Sequence, residues 1–172
     1  DTFDWIVYRK PGIIKSFTEG ISYVYIATET AGIFRYSLYG NQFEYPITRA
    51  QGLSSNSTTA IHFDKKTGIL WVATDKTIDY SFNAEGNWIS RSLDNYNLLS
   101  GVSIEQIGSS NNYLWALAGS LYLKIDRTSG VFLGSYTFSK SNSSPSLLLA
   151  TSIPQQFSSI ISFKKEMYIS SP

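Results

Sequence analysis

His62 is the only histidine in the 172 residues, and there is no cysteine. Metal binding through nitrogen or sulfur needs several such ligands together, so His62 has no His or Cys to join it in a zinc-type site. Cysteine catalysis and disulfides are excluded on the same count. A Ser-His-Asp relay would have to run through His62, yet no G-x-S-x-G elbow accompanies it. His62 lies between Ile61 and Phe63 in an apolar run. It faces away from both if that run is a strand, and a structural or surface role follows.

Carboxylates are the other candidates. Asp75 and Asp79 flank the turn after Trp71, and Glu29 holds a similar place after Tyr25. Acidic groups gathered on one rim could hold Ca²⁺ or form an acid–base pair. No EF-hand or nonapeptide calcium pattern is present. Stabilisation of turns and hairpins is therefore the expected role, and no metal or cofactor is implied. Gly-rich phosphate loops are absent. Asn56-Ser57-Thr58 and Asn142-Ser143-Ser144 have the form of glycosylation acceptors and read as chance matches.

Charge narrows the partners. Fourteen basic and 13 acidic residues are dispersed along the chain, so nucleic acid has no electrostatic footprint to bind. Membranes offer no better fit: there is no polybasic cluster, and no apolar run approaches the roughly 18 residues of a span. Aromatic residues number 26, namely 12 Tyr, 10 Phe and 4 Trp. They could stack on sugars, but most recur at a fixed spacing that assigns them to a core.

That spacing reveals the elements. Tyr25, Trp71, Trp115 and Tyr168 each sit inside a short apolar run, at intervals of 46, 44 and 53 residues. Periods of this size mark propellers and other repeat arrays. Around each aromatic lie three further short runs rich in β-branched and aromatic residues, bounded by turn residues such as Asp64-Lys65-Lys66-Thr67-Gly68 and Thr128-Ser129-Gly130. The aromatic-centred strand is apolar at successive positions, as a strand covered on both faces requires. Four antiparallel strands per repeat make one propeller blade.

The predicted fold is an all-β propeller of four-stranded antiparallel blades. As one segment over residues 1–172 it comprises an outer strand at 5–9, blades at 13–48, 57–93 and 103–138, and a partial blade at 157–171. This is an incomplete ring, because closed rings take about 4 to 8 blades. The rest of a longer chain, or a second copy, is expected to close it.

Gly52-Leu53-Ser54-Ser55-Asn56-Ser57-Thr58-Thr59-Ala60-Ile61-His62-Phe63-Asp64, continuing through Gly68-Ile69-Leu70-Trp71-Val72-Ala73-Thr74, resembles the two-component regulator propeller repeat. Gly52, Leu53, Asn56, Ile61, Asp64, Gly68, Leu70, Trp71 and Thr74 match its pattern. Thr58 replaces the usual Val and Ala73 the usual Gly. The copy at Trp115 loses the Asp-Gly turn, and the first and fourth copies keep only the general pattern. The resemblance implies a bacterial propeller in the periplasm or outside the cell, of the kind found in sensor regions of hybrid histidine kinases and in exported proteins without a kinase. Its motif residues are structural, and it supplies no catalytic group.

Loops on a rigid scaffold commonly carry binding. In a propeller the fourth-to-first and second-to-third connections share one face, here residues 48–56, 94–101 and 139–156 with the turns near Glu29, Asp75 and Gly119. Arg49, Gln51, Asp75, Asp94, Tyr96, Leu147 and Leu148 are the candidate binding residues, facing a protein partner or a small or saccharide ligand. The 139–156 stretch accounts for the long third interval, and its apolar Leu147-Leu148-Leu149 suits docking onto a partner or onto the scaffold. The expected function is a non-enzymatic binding or scaffold module, one form of which is a sensor ectodomain. The rival is a carbohydrate-active lyase or glycosidase with a carboxylate site that includes Asp75 and Asp79.

Overall fold

The structure is a computed structural model that describes residues 12–82, 86–96, 98 and 101–137. The predicted outer strand at 5–9, the partial blade at 157–171, Leu147, Leu148, Tyr168 and the acceptor at Asn142 lie outside the described residues.

Among the described residues, twelve strands form three separate four-stranded sheets. Sheet 1 holds β1 (Ile14–Glu19), β2 (Tyr23–Thr28), β3 (Ile33–Ser37) and β4 (Gln42–Ile47). Sheet 2 holds β5 (Thr58–Asp64), β6 (Ile69–Thr74), β7 (Thr77–Ser81) and β8 (Ile89–Ser92). In sheet 3 are β9 (Gln106–Ser109), β10 (Tyr113–Ala118), β11 (Leu121–Asp126) and β12 (Phe132–Thr137). Each sheet is an antiparallel meander whose strands pair in chain order. Helix among the described residues is confined to two single 3₁₀ turns, Arg49–Gln51 and Leu93–Tyr96. The architecture is therefore all-β, built of propeller-like blades.

Register repeats along with sequence. Tyr25 stands opposite Thr18 and Arg35, Trp71 opposite His62 and Tyr80, and Trp115 opposite Gly108 and Lys124. A bulge interrupts the first strand pair at the same relative place in sheets 1 and 2, between Ile14 and Ser16 and between Thr58 and Ala60. Such a bulge increases local twist at the strand end. The first strands pack on one another, β1 against β5 and β5 against β9, so they lie innermost. The fourth strands form the exposed outer edge.

Among the described residues, two apolar seams hold the three sheets together. Between sheets 1 and 2, Tyr25, Ala27, Ile33, Ile47 and Leu53 meet Ile61, Phe63, Leu70 and Val72. Between sheets 2 and 3, Trp71, Ala73, Ile78 and Tyr80 meet Ile104, Ile107, Leu114, Ala116, Leu123 and Ile125. Trp71 is 0% exposed and stacks on Tyr80 at 4.5 Å. All six residues of β6 are buried, which explains its unbroken apolar run: a blade between two blades is covered on both faces.

Several element ends differ from the sequence expectation. Ile104 and Glu105 precede β9 rather than belong to it, although Ile104 is fully buried in the seam. Trp88 lies just before β8, where its ring covers the glycine turn at Gly52.

Candidate functional site

The connections divide between two faces of the stack. On the loop face, the link from sheet 1 to sheet 2 lies against hairpin turns of both sheets. The Gly32 N–H donates to the Asn56 carbonyl at 2.9 Å, and the Ser54 N–H donates to Asp79 Oδ2 at 2.8 Å. The motif threonines cap the turns there: the Ala31 N–H donates to Thr28 Oγ1 at 3.1 Å, and the Thr77 N–H to Thr74 Oγ1 at 3.0 Å. Gly32 has φ +77°, and a Cβ at that position would run into the Ile47 carbonyl, so only glycine fits.

Arg49, Gln51, Asp75 and Asp94 are exposed on these loops. Gln51 also closes a capping box: its Oε1 accepts from the Thr48 N–H at 2.9 Å, and Thr48 Oγ1 accepts from the Ala50 N–H. Asp94 Oδ2 accepts from Ser92 Oγ at 2.9 Å. Tyr96, expected on this face, is instead buried in the second seam. The 3₁₀ turn at Leu93–Tyr96 points it inward, its ring packs on Phe132 and its hydroxyl donates to the Gly130 carbonyl at 2.8 Å. Burial pushes the Tyr96 phenol up to about 12, Arg91 lowering it and Tyr80 raising it to lesser degrees. Tyr96 is a core residue.

The candidate carboxylate pair is not assembled as an open site. Asp75 is exposed in its turn, whereas Asp79 is fully buried in β7. The Asp79 oxygens accept from the Ser54 N–H and from the Thr77 hydroxyl at 2.8 Å. Asp79 holds the inter-sheet link to the β6–β7 hairpin. No group of three or more His, Cys, Asp or Glu residues is placed to hold a metal ion among the described residues.

Titratable groups converge on the opposite, turn face. A groove of about 530 Å³ opens there, lined by turn residues of all three sheets including Glu19, His62, Asp64, Lys65, Ser109 and Arg127. At its floor the Arg127 guanidinium forms a two-pronged ion pair with Asp64, Nε on one carboxylate oxygen and Nη2 on the other. Arg127 Nη1 donates to the carbonyls of Ser110 at 2.6 Å and Asn111 at 2.9 Å. Asp64 is 1% exposed and Arg127 8%. This clamp ties sheet 2 to sheet 3 across 63 positions of sequence. Burial alone would raise the Asp64 carboxyl; the Arg127 hydrogen bond, with those from Thr67 and the Lys66 N–H, outweighs it and holds the value below the ordinary carboxylate range.

His62 lies beside the clamp, its Nε2 2.9 Å from Ser109 Oγ of sheet 3. Burial pushes the imidazole down to about 4 from its ordinary 6.5; Asp64 opposes the shift and Arg127 adds to it. A neutral imidazole bridging two blades by a hydroxyl is a structural histidine. Weaker ties cross the same rim: the Phe63 N–H donates to Thr18 Oγ1 at 3.1 Å, Lys65 pairs with Glu19 at 3.3 Å, and Lys66 Nζ donates to the Asn111 carbonyl. Exposed pairs of this kind contribute little. Asp126 accepts from the N–H groups and hydroxyls of Ser129 and Thr128, which hold its carboxyl down to about 2 and set the turn into β12.

Sequence reasoning did not single out Arg127 or pair it with Asp64. The available signal was positional: each residue stands at or beside an Asp that begins a five-residue turn ending in Gly, at Gly68 and at Gly130.

No family model matches the sequence, and no curated protein matches it. In fold the chain is similar to solved structures of the extracellular domain of BT4673 from B. thetaiotaomicron. One, ascribed to a one component system, aligns with a TM-score of 0.61 at 14% identity, covering 76% of this chain and 18% of that one. Another, ascribed to a hybrid two component system, aligns with a TM-score of 0.60 at 14% identity, covering 73% of this chain and 17% of that one. The chain thus spans under a fifth of these domains. At that identity the likeness is one of fold. No helix among the described residues is long and apolar enough to cross a membrane.

Proposed function

We propose that the chain is a non-enzymatic, ligand- or protein-binding β-propeller segment of an exported bacterial protein, acting in the periplasm or outside the cell as part of a sensor ectodomain. One observation carries this: the buried polar groups that could do chemistry hold turns and seams, while the exposed polar side chains of the long connections gather on one face. Asp64, Arg127, Asp79 and His62 are engaged between strands and blades. Arg49, Asp75 and Asp94 stand free of the core on the loop face. The fold likeness to BT4673 extracellular domains supports export and the sensor role. The Gly52–Thr74 match supports membership of the two-component regulator propeller repeats.

The test is a thermal-shift and calorimetric screen of the purified chain against neutral and acidic oligosaccharides and short peptides. It is repeated on the triple substitution Arg49→Ala, Asp75→Ala, Asp94→Ala. A ligand whose binding the triple substitution abolishes, with stability unchanged, supports the reading. Binding that survives it places recognition elsewhere. Turnover of any saccharide by the chain overturns the non-enzymatic assignment.

A further inference from the structure

The groove on the turn face draws on all three sheets and lies opposite the loop residues assigned to binding. Thr18 and Glu19 come from the end of β1, Lys65 and Lys66 from the β5–β6 turn, and Ser109 and Asn111 from the end of β9 and the turn after it. The two lysines lean to opposite walls. Lys65 Nζ reaches Glu19 of sheet 1 at 3.3 Å, and Lys66 Nζ reaches the Asn111 carbonyl of sheet 3 at 3.4 Å. Neither tie holds its ammonium group firmly. The Lys65 and Glu19 side chains are 66% and 65% exposed, where an ion pair adds little, and the Lys66 contact is long for a hydrogen bond. Each ammonium carries three N–H donors and uses one of them in these ties. Arg127, by contrast, is committed to the clamp with Asp64 and the carbonyls of Ser110 and Asn111.

The geometry points to a binding site in this groove for a small organic monocarboxylate, received by the ammonium groups of Lys65 and Lys66. Charge selects the class. Among the described lining residues Lys65, Lys66 and Arg127 carry three positive charges and Glu19 and Asp64 two negative ones, a surplus of one positive charge. One carboxylate neutralises that surplus. A dianion such as sulfate overshoots it and meets the Glu19 carboxylate at the rim. The walls supply hydroxyls for the rest of a polar acid. Thr18 Oγ1 accepts from the Phe63 N–H, which leaves its own O–H to donate, and Ser109 adds a second hydroxyl joined to His62 Nε2. A neutral sugar finds no stacking platform among the described lining residues: Phe63 is the one ring there, and it is 7% exposed. The volume of about 530 Å³ is that of a small-molecule site. Because its partners stand on three sheets, the bound acid braces the sheets against one another.

Gluconate and sorbitol are the probes, because they match in size and hydroxyls and differ chiefly in the carboxylate. Each is titrated into the isotopically labelled 172-residue chain, with sulfate as the dianion, and amide shifts are followed by nuclear magnetic resonance. Gluconate is expected to move the amides of Glu19, Lys66 and Asn111, one from each sheet, and to raise Tm, whereas sorbitol and sulfate do neither. Replacing both lysines, Lys65→Ala with Lys66→Ala, takes away exposed side chains, keeps the ligand-free Tm and weakens gluconate binding by roughly 10-fold or more. Glu19→Gln removes the competing carboxylate and tightens binding by roughly 2- to 5-fold. The triple substitution Arg49→Ala, Asp75→Ala, Asp94→Ala on the loop face leaves gluconate binding unchanged, which separates the two sites. An absence of shifts with gluconate overturns the proposal, and so does gluconate binding that survives loss of both lysines. Equal binding of sorbitol, or tighter binding of sulfate, overturns the monocarboxylate assignment.

Discussion

Replacing Arg127 with Ala leaves the Asp64 carboxylate at 1% exposure with no counter-ion. Breaking a buried pair from one side costs about 3–5 kcal/mol, because the remaining charge stays desolvated. The loss also strands the carbonyls of Ser110 and Asn111, each of which now accepts from Nη1. For a domain of this size about 1 kcal/mol lowers Tm by about 2–4 °C, so Arg127→Ala should lower it by about 6–20 °C. Urea unfolding followed by tryptophan fluorescence gives ΔΔG directly, with m unchanged if the fold is kept. The double substitution Asp64→Leu, Arg127→Met removes both charges at similar volume. It should be less damaging than Arg127→Ala alone, although it deletes more hydrogen bonds. Acid should erode the clamp too. The Asp64 value is depressed in the folded state, so its contribution is complete above the unfolded value and is lost as pH falls through the folded one. A cost of Arg127→Ala below about 1 kcal/mol, or single effects that simply add, would refute the clamp as the tie between blades 2 and 3.

His62 should impose a second acid dependence. Its folded value of about 4 lies below the ordinary 6.5, so the unfolded chain binds more protons between the two and stability rises with pH across that window. The full separation corresponds to about 3 kcal/mol, and His62→Gln should flatten the curve between pH 4 and 6.5 in denaturant melts. Trp71→Ala, in the middle of a seam, should cost about 3–5 kcal/mol, whereas Phe17→Ala on the open face of sheet 1 should change the stability of the 172-residue chain by less than about 0.5 kcal/mol; paired thermal melts check the contrast. Gly32→Ala should destabilise by more than about 1 kcal/mol, from its φ of +77° and the clash with the Ile47 carbonyl, and calorimetry would read it.

The repeat was legible because blade stacking imposes a period on the residues that fill the seams. Tyr25, Trp71 and Trp115 announce the second strands, and the glycine and asparagine turns separate the rest. Polar partnerships were not legible. Asp64 and Arg127 meet only because two blades lie side by side, and no local pattern links positions 63 apart. Tyr96 reads as a loop residue from its Asp-Asn-Tyr surroundings, yet a single 3₁₀ turn rotates it into the seam. Asp79 reads as a rim carboxylate beside Asp75. β7 is covered on both faces, and the link carrying the Ser54 N–H closes over Asp79. Ile104 shows a further limit: it is as buried as a strand residue while lying in the connection before β9.

The sheets pack face to face around inner strands, and contacts such as Thr18 with Phe63 and His62 with Ser109 bridge about one repeat of sequence. Nuclear Overhauser spectroscopy on labelled protein reads this directly. Cross-peaks are predicted between the rings of Tyr25 and Phe63, whose centroids lie 6.2 Å apart. They are also predicted from Thr18 to the Phe63 amide, from His62 to Ser109, and from the Tyr80 ring to Gly130. Spectra in which every long-range cross-peak falls within one four-stranded sheet, and none joins residues of neighbouring sheets, would contradict the stack.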